Sequence, residues 1–216
     1  MVKDLKRLSA VLIVLLIFPV FACHKAAPKV SYLQENSVIL AFGDSLTFGI
    51  GAEGSEDTYP AVLQKLINRK VINAGVSGEV TAKGIERLPG LLDEYKPSLL
   101  ILCHGGNDLM RKLGDEKAAD NIRAMIRMAK ESGVDVVLLG VPRLSLTSMS
   151  AAGFYKEIAE EFNIPYDNHI LFDIVSNASL KSDYIHPNVK GYRMMAEAVA
   201  ELLLNGGAIE HINVID

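Results

Sequence analysis

The chain of 216 residues has no tryptophan, two cysteines, and seven each of phenylalanine and tyrosine. Two cysteines cannot build a disulfide framework. Basic excess is missing as well: 22 Lys and Arg stand against 26 Asp and Glu, a net charge of −4. That balance leaves no broad electrostatic footprint for nucleic acid. The five histidines form no cluster at metal-ligand spacing, so no metal is expected. Repeats and low-complexity stretches are also lacking. What the chain has in quantity is hydrophobicity, 50% of residues with a mean hydropathy of +0.23. A chain this apolar can bury enough surface to offset its ordering entropy, which excludes general disorder, and the length suits one α/β domain.

Much of the apolar surplus sits at the front. Lys3, Lys6 and Arg7 precede the run Leu8 to Ala22, interrupted at Pro19. A basic start, a short apolar stretch and a small residue before a candidate cleavage point describe an export signal rather than a spanning helix. Val20-Phe21-Ala22-Cys23 resembles a bacterial lipobox, which implies lipidation of Cys23; cleavage by an ordinary signal peptidase nearby is the alternative. The expected organisation is a leader at 1–22, a tether at 23–35, a domain at 36–205 and a tail at 206–216. The expected location is the periplasm, or a membrane surface reached only through a lipid on Cys23.

Beyond the leader, short apolar runs alternate with helical patterns. Val38 to Phe42, Lys70 to Ala74, Leu99 to Cys103, Val134 to Gly140 and Pro165 to Asp167 read as strands, and unbroken runs such as LLILC suit strands covered on both faces. Tyr59 to Asn68, Thr81 to Tyr95, Glu116 to Ser132, Met149 to Phe162 and Asn188 to Leu204 carry helical periodicity. Cys103 falls inside a strand and reads as a small buried hydrophobe. The alternation predicts a three-layer α/β/α sandwich around a parallel five-stranded sheet. In such sheets ligands bind beyond the carboxyl ends of the strands, so chemistry belongs in the loops that follow each run.

Those loops are distinctive. Gly43-Asp44-Ser45-Leu46-Thr47 follows the first run, Asn73 to Glu79 with Gly75 and Gly78 follows the second, and Gly105-Gly106-Asn107-Asp108 follows the third. Asp183-Tyr184-Ile185-His186-Pro187-Asn188 precedes the last helix, where Pro187 holds His186 in an extended conformation. Each segment alone could be a turn or a helix cap. Glycine N–H groups and an asparagine amide could also donate to one oxygen, and Asp183 could orient His186 toward Ser45.

Taken together in this order, GDSL, a glycine after the second strand, GGND and DxxHPN resemble the SGNH (GDSL) hydrolase superfamily over Val38 to Leu204. Among its members the chain is most similar to the bacterial exported acyl-CoA thioesterases, lysophospholipases and arylesterases. The resemblance implies a flavodoxin-like fold and hydrolysis of carboxylic esters or thioesters through an acyl-enzyme, which requires no cofactor. It implies Ser45 as nucleophile, His186 as base and Asp183 as its orienting partner. The oxyanion donors would be Ser45 N–H, Gly78 and Asn107, with Gly78 favoured over Gly75; Asp44 and Asp108 would organise their loops.

The substrate is then a small ester or thioester, with acyl lipids in scope. Leu46, Leu109, Met110, Arg143, Leu144 and Leu146 are candidates for the substrate pocket, Arg143 toward an anionic head group. Gly49 to Gly54 matches G-x-G-x-x-G but lacks the strand-to-helix context of a dinucleotide site, and is expected to form a flexible rim to the cleft. His104 beside GGND has no carboxylate at a defined spacing and reads as a satisfied histidine. A carbohydrate O-acetylesterase would need the same residues, and a non-catalytic surface lipoprotein would need none of them.

Overall fold

The computed structural model describes residues 28–144 and 149–215. The leader and Cys23 lie outside these residues, as does Leu146. In chain order the elements are β1 (Val38–Gly43), α1 (Ser45–Phe48), α2 (Tyr59–Ile67), β2 (Lys70–Gly75), α3 (Thr81–Tyr95), β3 (Leu99–Cys103), α4 (Gly106–Met110), α5 (Asp115–Glu131), β4 (Asp135–Leu139), β5 (Pro142–Leu144), β6 (Met149–Ala151), α6 (Gly153–Phe162), β7 (Tyr166–Asp167), α7 (Ile170–Ser176) and α8 (Val189–Asn205).

β1, β3 and β4 carry the unbroken apolar runs, and residues 39–42 and 99–103 are fully buried. The sheet is parallel throughout, in the order β2-β1-β3-β4-β7. Helices cover both faces: Leu88 and Leu92 of α3 enter the core, as do Met195, Val199 and Leu203 of α8. The chain winds from β1 to β2 on one side and resumes at β3 on the other. That reversal opens a crevice between the loops after β1 and β3, where doubly wound sheets bind ligands. Ser45 stands beyond β1 and Asn107 beyond β3, so the topology puts them together.

Three features depart from expectation. Met149–Ala151 is not the start of a helix: it pairs antiparallel with Pro142–Leu144, and α6 begins only at Gly153. The backbone groups of 149–151 are satisfied by that ladder rather than by a helical turn. α7 had no counterpart among the expected helices. Core residues also extend past 36–205 at both ends, since Val30, Leu33, Ala208 and Ile209 are buried. Val30 and Leu33 donate backbone hydrogen bonds to Gly206 and Ala208, so these flanking residues pack as one short layer against the domain.

Candidate active site

Ser45 is the first residue of α1, placed by the turn that ends β1. Asp44 caps that turn, its Oδ1 accepting from Leu46 N–H at 3.1 Å. The Ser45 hydroxyl lies 3.0 Å from His186 Nε2, and His186 Nδ1 lies 2.7 Å from Asp183 Oδ2. The carboxylate can only accept, so Nδ1 carries the proton and Nε2 is left to accept from Ser45. Asp183 Oδ1 also accepts the backbone N–H groups of Ile185 and His186, each at 2.9 Å. Partial burial pushes the Asp183 carboxyl up, but the ring and these two N–H groups outweigh it and hold it down to about 2.

The loop carrying His186 is fastened at both ends. Lys181 bridges Pro187 in an antiparallel pair, consistent with the extended conformation expected at His186. Asn188 caps α8 by accepting from Gly191 N–H, and its amide donates to the carbonyls of Ser179 and Lys181. Tyr192 of α8 donates to the Ile50 carbonyl at 2.8 Å. This bond ties Ile50, within the Gly49 to Gly54 segment, to the helix behind His186.

Asn107, on the first turn of α4, is buried. Its amide donates to the Glu79 carbonyl at 3.0 Å and to Asp44 Oδ2 at 3.3 Å. Burial pushes the Asp44 carboxyl up, against the pull of His104, the Leu46 N–H, His186 and Asn107. Asp108 accepts from Thr81 N–H and Thr81 Oγ1 at 2.9 and 2.6 Å, so it ties the start of α3 to this loop. Of the two candidate glycines, Gly75 is pressed against α1, where a Cβ would come within 2.0 Å of Phe48 N. Gly78 sits in the open loop at φ +76°, a conformation that disfavours side chains. Among the described residues, no acceptor faces the Ser45 or Gly78 backbone N–H.

Beside Ser45 opens a narrow, mainly apolar cleft. Of the candidates for a substrate pocket, Leu46 and Met110 line it; Val141, Pro142, Ile185 and, from α7, Leu171, Ile174 and Val175 line it too. Other expected positions fall elsewhere. Leu109 packs against the core instead of the cleft. Arg143 is paired with Asp115 at the start of α5 and is not among the residues lining the cleft. Of Leu144 only the backbone, at the end of β5, is described.

His104 does have a carboxylate partner. Its Nε2 lies 3.1 Å from Glu79 Oε2, and Glu79 is also held by Arg87 at 2.9 and 2.7 Å. Burial pushes the Glu79 carboxyl up, but His104 and Arg87 hold it down to about 2. Because this lies below the ordinary value of 4.5, the clamp contributes stability that is complete above about pH 4.5 and lost as pH falls through about 2. Glu79→Gln is accordingly expected to lower the urea midpoint at pH 7, with the gap to wild type closing between pH 4.5 and 2. A gap that stays constant down to pH 2 would contradict this electrostatic account. Cys103 is fully buried, and burial together with the Asp44 charge pushes its thiol well up, which keeps it inert.

Comparison with known proteins matches residues 41–194 to the GDSL-like lipase/acylhydrolase family. Esterase TesA of Pseudomonas aeruginosa is 36% identical over 108 residues, 48% of this chain and 53% of that one, so the match spans about half of that relative's length. An arylesterase of Vibrio mimicus is 29% identical over 88% of this chain and 97% of its own. Among solved structures, AlinE4, an SGNH-hydrolase family esterase, superposes with a TM-score of 0.63 at 30% identity, covering 80% of this chain and 97% of that one. Since the matched region runs from the last residues of β1 through the loops carrying Ser45, Gly78, Asn107 and His186, the chain belongs to the GDSL-like lipase/acylhydrolase family.

Proposed function

We propose that the chain is a serine hydrolase of carboxylic esters, with Ser45 as nucleophile, His186 as general base and Asp183 as the residue that orients it. The observation that carries this reading is the unbroken line of hydrogen bonds from Ser45 Oγ through His186 to Asp183, opening on an apolar cleft. Ser45 attacks the ester carbonyl as its proton passes to His186 Nε2. The charge gathering on the carbonyl oxygen is met by Ser45 N–H, Gly78 N–H and the Asn107 amide. His186, now protonated, gives its proton to the departing alkoxide or thiolate. Water, activated by the same imidazole, then releases the acid from Ser45.

The walls of the cleft favour an acyl chain over a sugar. Leu46, Leu171, Ile174 and Val175 offer little for a carbohydrate O-acetyl substrate to hydrogen-bond, whereas each buried methylene of an acyl chain gains about 0.8 kcal/mol. Aryl and thiol leaving groups both suit the mechanism, which places arylesters and acyl thioesters in the substrate range. With p-nitrophenyl esters, kcat/KM is expected to rise from acetyl to octanoyl, by up to about 15-fold for each two carbons that are fully buried. A flat or falling series would overturn the acyl-cleft assignment. The leader at 1–22 supports an exported enzyme, with Cys23 as the point of lipid attachment.

A further inference from the structure

Glu79 and His104 take no part in the line from Ser45 to Asp183, yet they join the two loops proposed to supply the oxyanion donors. Glu79 follows Gly78 directly, and its carbonyl accepts from the Asn107 amide at 3.0 Å. Its carboxylate is clamped by Arg87 of α3 and by His104, which stands three residues before Asn107. The His104 ring is wired on every side. Its Nδ1 accepts from Gly105 N–H at 2.9 Å, so Nε2 carries the proton that goes to Glu79. The His104 carbonyl accepts from Tyr155 at 2.7 Å. A Cβ on Gly84 would come within 2.8 Å of Nε2, so α3 leaves room for this ring where a side chain would stand. Phe42 supports the clamp from β1, with the Arg87 guanidinium 4.2 Å above its ring.

The consequence falls on Asn107. A carbonyl only accepts, so Glu79 makes the amide present its NH2 rather than its oxygen, and the second N–H is then directed toward Asp44 beside Ser45. We propose that Glu79 and His104 are positioning residues that lock the Gly78 loop to the Asn107 loop, holding the oxyanion donors in one fixed arrangement. This rests on the donor roles proposed above for Gly78 and Asn107.

The test uses the full chain and p-nitrophenyl butyrate. His104→Leu removes the donor to Glu79, while His104→Gln places an amide N–H near the position of ring Nε2. In His104→Leu, kcat is expected to fall about 10- to 100-fold with KM within about threefold, and His104→Gln recovers most of the loss. Affinity for an alkylboronic acid, whose adduct with Ser45 is tetrahedral and anionic, falls in step with kcat. In an Asn107→Ala background, His104→Leu costs clearly less than it does in the wild type, because one of the two donors it positions is already gone. Glu79→Gln, assayed on folded protein at pH 7, moves kcat in the same direction and serves if His104→Leu does not fold.

A His104→Leu enzyme within twofold of wild-type kcat would overturn the proposal. So would equal losses in His104→Leu and His104→Gln, or a full additive loss on Asn107→Ala. Activity persisting in Ser45→Ala or Asn107→Ala would instead overturn the underlying reading of the site. Those two losses with an unimpaired His104→Leu would leave that reading standing and remove only the positioning role.

Discussion

Replacing Ser45 by alanine is expected to lower kcat for ester hydrolysis roughly 10⁴- to 10⁶-fold, the range seen when a serine nucleophile that acts in concert with its base is removed. The effect is this large because serine and imidazole work as one unit: without the hydroxyl, His186 has no proton to take and no acyl-enzyme forms. The fold has little to lose. The hydroxyl's one partner among the described residues is His186 Nε2, and the turn is held by the Asp44 cap on Leu46 rather than by Ser45. Tm should therefore stay within about 3 °C of wild type, as for substitutions that create neither a cavity nor an unpaired buried group. Initial rates with p-nitrophenyl butyrate beside a thermal melt check both halves. Comparable activity in a folded Ser45→Ala protein would remove Ser45 from the chemistry.

Asn107→Ala is expected to be the next most damaging change, costing about 10² to 10³ in kcat, the usual penalty for losing one oxyanion donor. KM should move little, because the amide meets charge that exists only once the carbonyl has been attacked. In the free protein the amide donates to the Glu79 carbonyl at 3.0 Å and to Asp44 Oδ2 at 3.3 Å. The longer bond is the one a developing oxyanion would displace, and Asp44 would keep its bond from Leu46 N–H. Truncation also leaves the Glu79 carbonyl without this donor, a stability cost of about 1–3 kcal/mol. Kinetics normalised to folded protein separate the two effects. A rise in KM at constant kcat would mean that Asn107 binds the ground state instead.

The parts of this molecule that sequence made legible are those written in local pattern. LLILC became β3 at the expected residues, and helical periodicity delimited α3 from Thr81 to Tyr95 with Pro89 inside it. Ser45 and Asn107 stood out as polar residues just beyond apolar runs, where a parallel sheet gathers its loops. Asp183 and His186 were picked out by the DxxHPN pattern before the last helix, and the roles of all four by the resemblance to the SGNH hydrolases. What was not legible depended on contacts distant in sequence or on elements too short to show a period. α7 is seven residues long, and its Ile170, Leu171, Ile174 and Val175 repeat at helical spacing over only two turns. That short stripe was the available signal for three of the residues that line the cleft, Leu171, Ile174 and Val175. The His104 partnership with Glu79 spans 25 residues, and that of Arg143 with Asp115 spans 28. No spacing rule announces either. Met149–Ala151 was read as the start of a helix, while the competing ladder to Pro142–Leu144 is visible only in the fold.

The central claim is that Ser45 is a nucleophile activated by His186. Treating the folded protein with a fluorophosphonate and measuring its intact mass, then mapping the modified peptide, addresses it directly. The account predicts one adduct per chain, located on Ser45, absent in Ser45→Ala and greatly slowed in His186→Ala. A folded protein that takes no label, or that takes it at another residue while Ser45 stays unmodified, would contradict it.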